Sequence, residues 1–327
     1  MDFLSAESLP WLQVPQQRVR EAVAARRLPH ALLLLSAPGL GAEFLANWIA
    51  ALVLCESDAP RPCGACASCH LLRADNHPDC YVVRIEEDAQ QIKVDQIRNL
   101  IESLSLSSYR GGYKVGIVEG AEALNANGAN AFLKTLEEPT DNTLLIMVAK
   151  PSHRLPATVA SRCMRLPLRA PPRPAAVAWL DARGQNRRSW DAALVLCGDA
   201  PLLALEIENA GFAELEKEMQ ESLREMAAGA VDVTLIAGAW VKSEYNLRLM
   251  WLENWITQRI HASLGTAASL QSAEPVRLPA ALLKPKIRAL FELLDAVREL
   301  RRLAATGLNQ QLALEALLLG GRAALAK

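Results

Sequence analysis

Short apolar runs alternate with segments of helical period through the first half of the chain. Ala31–Leu35, Tyr81–Ile85, Lys114–Val118, Leu144–Val148 and Met164–Leu168 are each bounded by turn or cap residues, a pattern that predicts five strands. Between them, helical spacing runs over Ala42–Leu54, Val94–Leu104 and Asn125–Glu137, the last closed by Pro139. Strands alternating with helices in this way build a parallel sheet covered on both faces, a doubly wound α/β domain.

Prolines 167, 171, 172 and 174 then crowd one short stretch, a density that interrupts helices and central strands alike. Beyond it no strand pattern recurs. Leucine and alanine repeat at helical spacing through Ala175–Leu180, Phe212–Met226, Tyr245–Leu264 and Leu283–Leu303, with breaks at Gly198–Pro201 and Gly265–Pro279. The expected organisation is an α/β domain over 1–170, a small helical module over 171–210 and an all-α domain over 211–327. Trp251 and Trp255, one turn apart, read as core packing.

Composition narrows the class. Lysine and arginine number 35 against 36 aspartates and glutamates, a formal charge of -1, and 51% of the residues are hydrophobic. A near-neutral chain exerts no global pull on nucleic acid, so a stand-alone DNA-binding module is disfavoured. The N-terminus lacks a basic region followed by an apolar run, and runs such as Ile49–Leu54 fall short of a membrane span, so a cytoplasmic location is expected.

Seven cysteines stand at 55, 63, 66, 69, 80, 163 and 197, and the first four follow C-x7-C-x2-C-x2-C. Such short gaps let thiolates converge on one ion at a zinc–sulfur distance of about 2.3 Å, and four sulfurs close the shell, so the expected site is structural zinc on Cys55, Cys63, Cys66 and Cys69. Pro62-Cys63-Gly64-Ala65-Cys66 also matches half of a zinc-deaminase signature, but His30 is followed by Ala31 and Leu32, so the His-x-Glu half is absent. His70 adjoins the cluster and is not needed for it; His77 reads as a solvated loop residue.

After the first strand, Ser36-Ala37-Pro38-Gly39-Leu40-Gly41-Ala42-Glu43 sits where a phosphate loop would lie between strand and helix. A working G-x-x-x-x-G-K-[ST] loop places lysine on the outer phosphates and a hydroxyl on magnesium. Here those positions are Ala42 and Glu43, and Ser36 replaces the first glycine. The strand Lys114–Val118 ends Glu119-Gly120 rather than in an acidic pair. With Gly39 and Gly41 kept but the reactive groups gone, no bound nucleotide and no ATPase activity of the isolated chain are expected. A P-loop ATPase that works with divergent residues is the alternative, and it requires turnover by the chain alone.

Asn130-Ala131-Phe132-Leu133-Lys134-Thr135-Leu136-Glu137-Glu138-Pro139, then Ser161-Arg162-Cys163, together with the cysteine cluster, resemble the AAA+ clamp-loader family of bacterial replication. The resemblance covers most of the chain, including Thr306-Gly307-Leu308-Asn309, and is weakest over 211–279. It implies an AAA+-type P-loop domain carrying the zinc module, a small helical module and a C-terminal helical collar, in a non-hydrolysing subunit of a ring that loads the sliding clamp onto primed DNA. Implied partners are the motor subunits gamma or tau, the delta subunit and, through the complex, the clamp and primed DNA. The implied role of Arg162 is an arginine finger reaching a neighbour's ATP in trans; taken without the resemblance, it reads as an arginine neutralising helix-end carbonyls. Gly198-Asp199-Ala200-Pro201-Leu202 holds no arginine where motor subunits carry a nucleotide sensor. Arg98 is a candidate for the ring's DNA-facing side. Lys134 reads as a helix-surface ion pair. The basic and tyrosine-bearing stretch Ser107–Lys114 fits either a phosphate contact or an ordinary loop.

Overall fold

The computed structural model describes residues 8–58, 60–86, 89, 91–151, 155–183, 190–264, 285–304 and 308–325. The expected break at Gly265–Pro279, together with Thr306 and Gly307, lies outside them. The chain divides into two compact units, 1–187 with 197–203 and 188–196 with 204–327.

The first unit holds α1 (Gln13–Ala24), β1 (Ala31–Leu35), α2 (Ala42–Leu54), α3 (Ala67–Arg73), β2 (Cys80–Val83), α4 (Val94–Ser105), β3 (Lys114–Glu119), α5 (Ala126–Glu137), β4 (Thr143–Ala149), α6 (Ala157–Ala160), β5 (Met164–Pro167) and α7 (Arg173–Asp181). Its sheet is parallel in the order β2-β3-β4-β1-β5. β4 is buried at every position and β1 at all but its last, which is why both read as unbroken apolar runs: a central parallel strand meets helices on both faces. All five expected strands are present, within a residue or two of their expected ends.

Side-chain size sets the helix approach. A Cβ on Gly116 in β3 would lie 3.1 Å from both Leu100 and Leu104, so α4 packs onto the strand where glycine leaves room. Asn125 caps α5 by accepting from the Gly128 amide, and Phe132 buries fully in a core with Ile97, Leu100, Val118 and Met147.

The second unit is helical: α8 (Asp191–Leu196), most of α9 (Pro201–Asn209), α10 (Phe212–Ala228), α11 (Val233–Lys242), α12 (Tyr245–Leu264), α13 (Pro285–Leu303) and α14 (Gln310–Leu325). α12 packs along α13, and α11 and α13 pack on α14. Trp251 is core, as its spacing implies, whereas Trp255 is half-buried, stacked on Trp251 at 6.1 Å with the Arg259 guanidinium 3.9 Å from its ring centre. Among the described residues no helix is long and apolar enough to cross a membrane.

Candidate functional site

The four clustered cysteines are drawn from the end of α2 and from a loop that runs into α3. Their sulfurs all lie within 4.8 Å of one another. Cys55 Sγ is 3.9 Å from Cys66 Sγ, and Cys63 Sγ is 4.0 Å from Cys69 Sγ. A tetrahedron of sulfurs at about 2.3 Å from a central ion has edges of about 3.8 Å, so the group fits a four-coordinate metal. Backbone amides support the sulfurs: Cys63 N donates to Cys55 Sγ at 3.4 Å, Cys66 N to Cys63 Sγ at 3.3 Å and Cys69 N to Cys66 Sγ at 3.4 Å. The Ala65 and Cys66 amides hold the Cys63 thiol down at about 6, while burial pushes the Cys55 and Cys69 thiols up. A bound cation would draw all four to thiolates, since a coordinating thiol is deprotonated.

His77 is not the solvated residue its polar surroundings imply. It is 5% exposed, with Nε2 2.6 Å from Ser68 Oγ and Nδ1 accepting from Asp79 N at 3.1 Å. A local pattern of Asn, His, Pro and Asp signals a loop but cannot reveal that the loop folds inward onto a serine nine positions away. Ser107–Lys114 is likewise tied down by its basic residues and its amides. Lys114 is buried and its ammonium donates to the carbonyls of Ser103 and of Leu106, the latter at 3.2 Å. Arg110 pairs with Glu56, and the Tyr109 and Arg110 amides donate to Asp79 at 2.7 and 3.0 Å.

In the loop between β1 and α2, Gly39 and Gly41 have φ of 77° and 82°, the left-handed backbone that glycine adopts freely. In a working loop such glycines let phosphate approach the backbone. Here leucines approach instead. A Cβ on Gly39 would fall 2.4 Å from Leu203 Cβ, and one on Gly41 would fall 2.8 Å from Leu9 and 3.3 Å from Leu202. Leu202 N donates to Gly39 O at 3.2 Å, and Trp11 Nε1 to Leu40 O at 2.8 Å. Ala42 is buried, Glu43 is half-buried and the helix they open carries no cation in its first turn. The acidic residue left at the end of β3, Glu119, is held by Arg84 through bonds of 2.6 and 3.2 Å.

Ser161, Arg162 and Cys163 follow α6 directly. Cys163 turns inward, its thiol donating to Val159 O at 3.2 Å and pushed up to about 11 by burial. Arg162 stays at the surface, where it donates to Thr158 O at 2.9 Å and to Glu137 at 2.6 Å. Glu137 belongs to the Leu-Lys-Thr-Leu-Glu-Glu-Pro end of α5, so the two motifs of the resemblance meet here. The carbonyl contact is the helix-end role that the residue type alone implies, and the carboxylate is an additional partner. Lys134 is exposed and makes no ion pair among the described residues, while Arg98 pairs with Asp95 at 3.1 Å on the exposed side of α4.

The family described as "DNA polymerase III, delta subunit" matches residues 13–172, and "DNA polymerase III, delta subunit, C terminal" matches residues 211–322. The DNA polymerase III subunit delta' of Pseudomonas aeruginosa is 33% identical over 255 residues, 76% of each chain. The subunit of the same name from Escherichia coli is 30% identical over 316 residues, 95% of this chain and 94% of that one. The tau subunit of Escherichia coli is 30% identical over 162 residues, 48% of this chain and 25% of tau. With a five-stranded parallel sheet, a four-cysteine cluster and a relative 30% identical over 94% of its own length, the chain belongs to the DNA polymerase III subunit delta' family.

Proposed function

We propose that the chain is a non-hydrolysing subunit of the bacterial clamp loader, acting in the cytoplasm to help place the sliding clamp on primed DNA. The observation that carries this reading is the phosphate loop: its lysine position is Ala42, and its glycines are packed against Leu9, Leu202 and Leu203. The energy of clamp opening then comes from neighbouring motor subunits, gamma or tau, with the delta subunit completing the ring. Residues 171–210 act as a small helical module and 211–327 as the collar.

Arg162 acts in trans on the ATP of a neighbouring motor subunit. A guanidinium stays charged and forks onto phosphate oxygens, which suits a charge delivered across an interface. Thr158 O and Glu137 hold it at the surface, and on assembly the γ-phosphate replaces Glu137 as its anion. The four cysteines hold a structural Zn2+, which closes its shell with sulfur and so fastens the end of α2 to α3.

The test is ATP turnover by the chain alone and by a ring reconstituted with motor subunits, delta, clamp and primed DNA, using wild type and Arg162→Ala. The expected result is no turnover alone and a large loss in the Arg162→Ala ring; in related GTPase systems such a finger is worth about 10³ to 10⁵ in rate, an upper guide. Robust turnover by the isolated chain would instead establish the divergent-ATPase alternative.

A further inference from the structure

Two tethers leave the four-cysteine group and end on the same loop. The first begins at Ser68, between Cys66 and Cys69, whose hydroxyl donates to Leu54 O at 2.7 Å, the residue before Cys55. The hydroxyl proton being spent there, Ser68 Oγ accepts from His77 Nε2 at 2.6 Å. The tautomer follows from the other side of the ring, because Nδ1 already accepts from the Asp79 amide at 3.1 Å. Asp79, only 1% exposed, then receives the amides of Tyr109 at 2.7 Å and Arg110 at 3.0 Å on its two carboxylate oxygens. The second tether is shorter. Glu56, which follows Cys55, takes the Arg110 guanidinium.

Every donor and acceptor along the first tether has one role, so the chain of bonds has a single consistent direction. The loop it reaches, residues 107–112, lies 30 or more positions from the cysteines, exposes Tyr109 at 82% and leads into β3. Gly111 and Gly112 have open space where a Cβ would be, so packing does little to fix the tip. What holds Tyr109 and Arg110 is Asp79 and Glu56. Asp79 is held on one side by the bond its carbonyl accepts from Val115 N at 2.9 Å and on the other by the bond its amide gives His77, and Glu56 adjoins the residue that would ligate the metal.

We propose that metal binding at Cys55, Cys63, Cys66 and Cys69 is transmitted to the 107–112 loop and holds it in one displayed conformation. Ser68, His77, Asp79 and Glu56 are the positioning residues. Loss of the metal lets α3 and the end of α2 part, Ser68 leaves His77, and the loop amides lose the carboxylate that orders them. The inference rests on the metal reading given above, and the experiment separates the two.

The measurement is amide hydrogen exchange on the full chain, with metal content determined in parallel, before and after chelation. Exchange at Tyr109 and Arg110 is expected to rise about tenfold or more on chelation, the order expected when a bond to a charged acceptor is lost. Exchange in β4 stays unchanged and serves as the control for global folding. The double variant Ser68→Ala with Glu56→Gln, still loaded with metal, is expected to show the same loop exchange without chelation. A protein that holds metal but whose loop is indifferent to chelation overturns the coupling and leaves the metal reading standing. Loss of β4 protection together with the loop also overturns it, since the metal would then fasten the whole unit. A chain that takes up no zinc overturns both.

Discussion

Glycine 39 and phenylalanine 132 mark two ways in which one side chain governs this domain. At Gly39 a Cβ would sit 2.4 Å from Leu203, on a backbone at φ 77°. At Phe132 the ring fills the core completely. Replacing Phe132 by alanine removes the ring and leaves a cavity, so Phe132→Ala is expected to cost about 3–5 kcal/mol in urea unfolding of the full chain. A loss under about 1 kcal/mol would mean that α5 is not seated by this residue. Some residues were legible from type and spacing, as were the four cysteines at C-x7-C-x2-C-x2-C. Others were not. His77 and Lys114 are buried polar residues whose partners are carbonyls, amides and a serine brought in by the fold, and nothing in their neighbours' polarity announces it.

At the scale of elements, the pairing of α12 with α13 carries a charge network with a pH signature. Glu253 is half-buried, which by itself raises its carboxyl, but bonds from Arg298 and Arg301 outweigh burial and hold it below its ordinary value of 4.5. A depressed folded value means that the unfolded chain takes the proton first. The contribution is therefore whole above 4.5 and fades as pH falls below it toward the folded value. Wild type is expected to lose more stability than Glu253→Gln between neutral pH and about pH 4 in chemical denaturation. Equal losses would remove Glu253 from the account. Element boundaries themselves were well marked where the pattern was long: α2 and α12 fall at Ala42–Leu54 and Tyr245–Leu264, the expected limits. The period did not single out α3, because a seven-residue helix among cysteines offers barely two turns of pattern. α11 was missed as well, its Gly238 and its short length weakening the apolar stripe.

For the molecule as a whole, the class of sheet and the absence of lysine at position 42 were legible in the sequence, but not what stands against the loop. Residues 202 and 203 stand more than 150 positions from Gly39, and no periodicity connects them. Their presence gives the proposed absence of nucleotide chemistry a second physical cause besides the missing lysine. Leucines stand against both glycines, and each such contact adds apolar burial that an entering phosphate would have to break. Restoring the two reactive groups, Ala42→Lys with Glu43→Thr, is accordingly expected to yield no nucleotide affinity in equilibrium dialysis with radiolabelled ATP, and recovery should require trimming Leu202 and Leu203 as well. Binding by the simple double variant would show that the leucines yield readily. If they hold, packing as well as the missing lysine keeps nucleotide out of this loop, and no change confined to residues 42 and 43 makes the chain an ATPase.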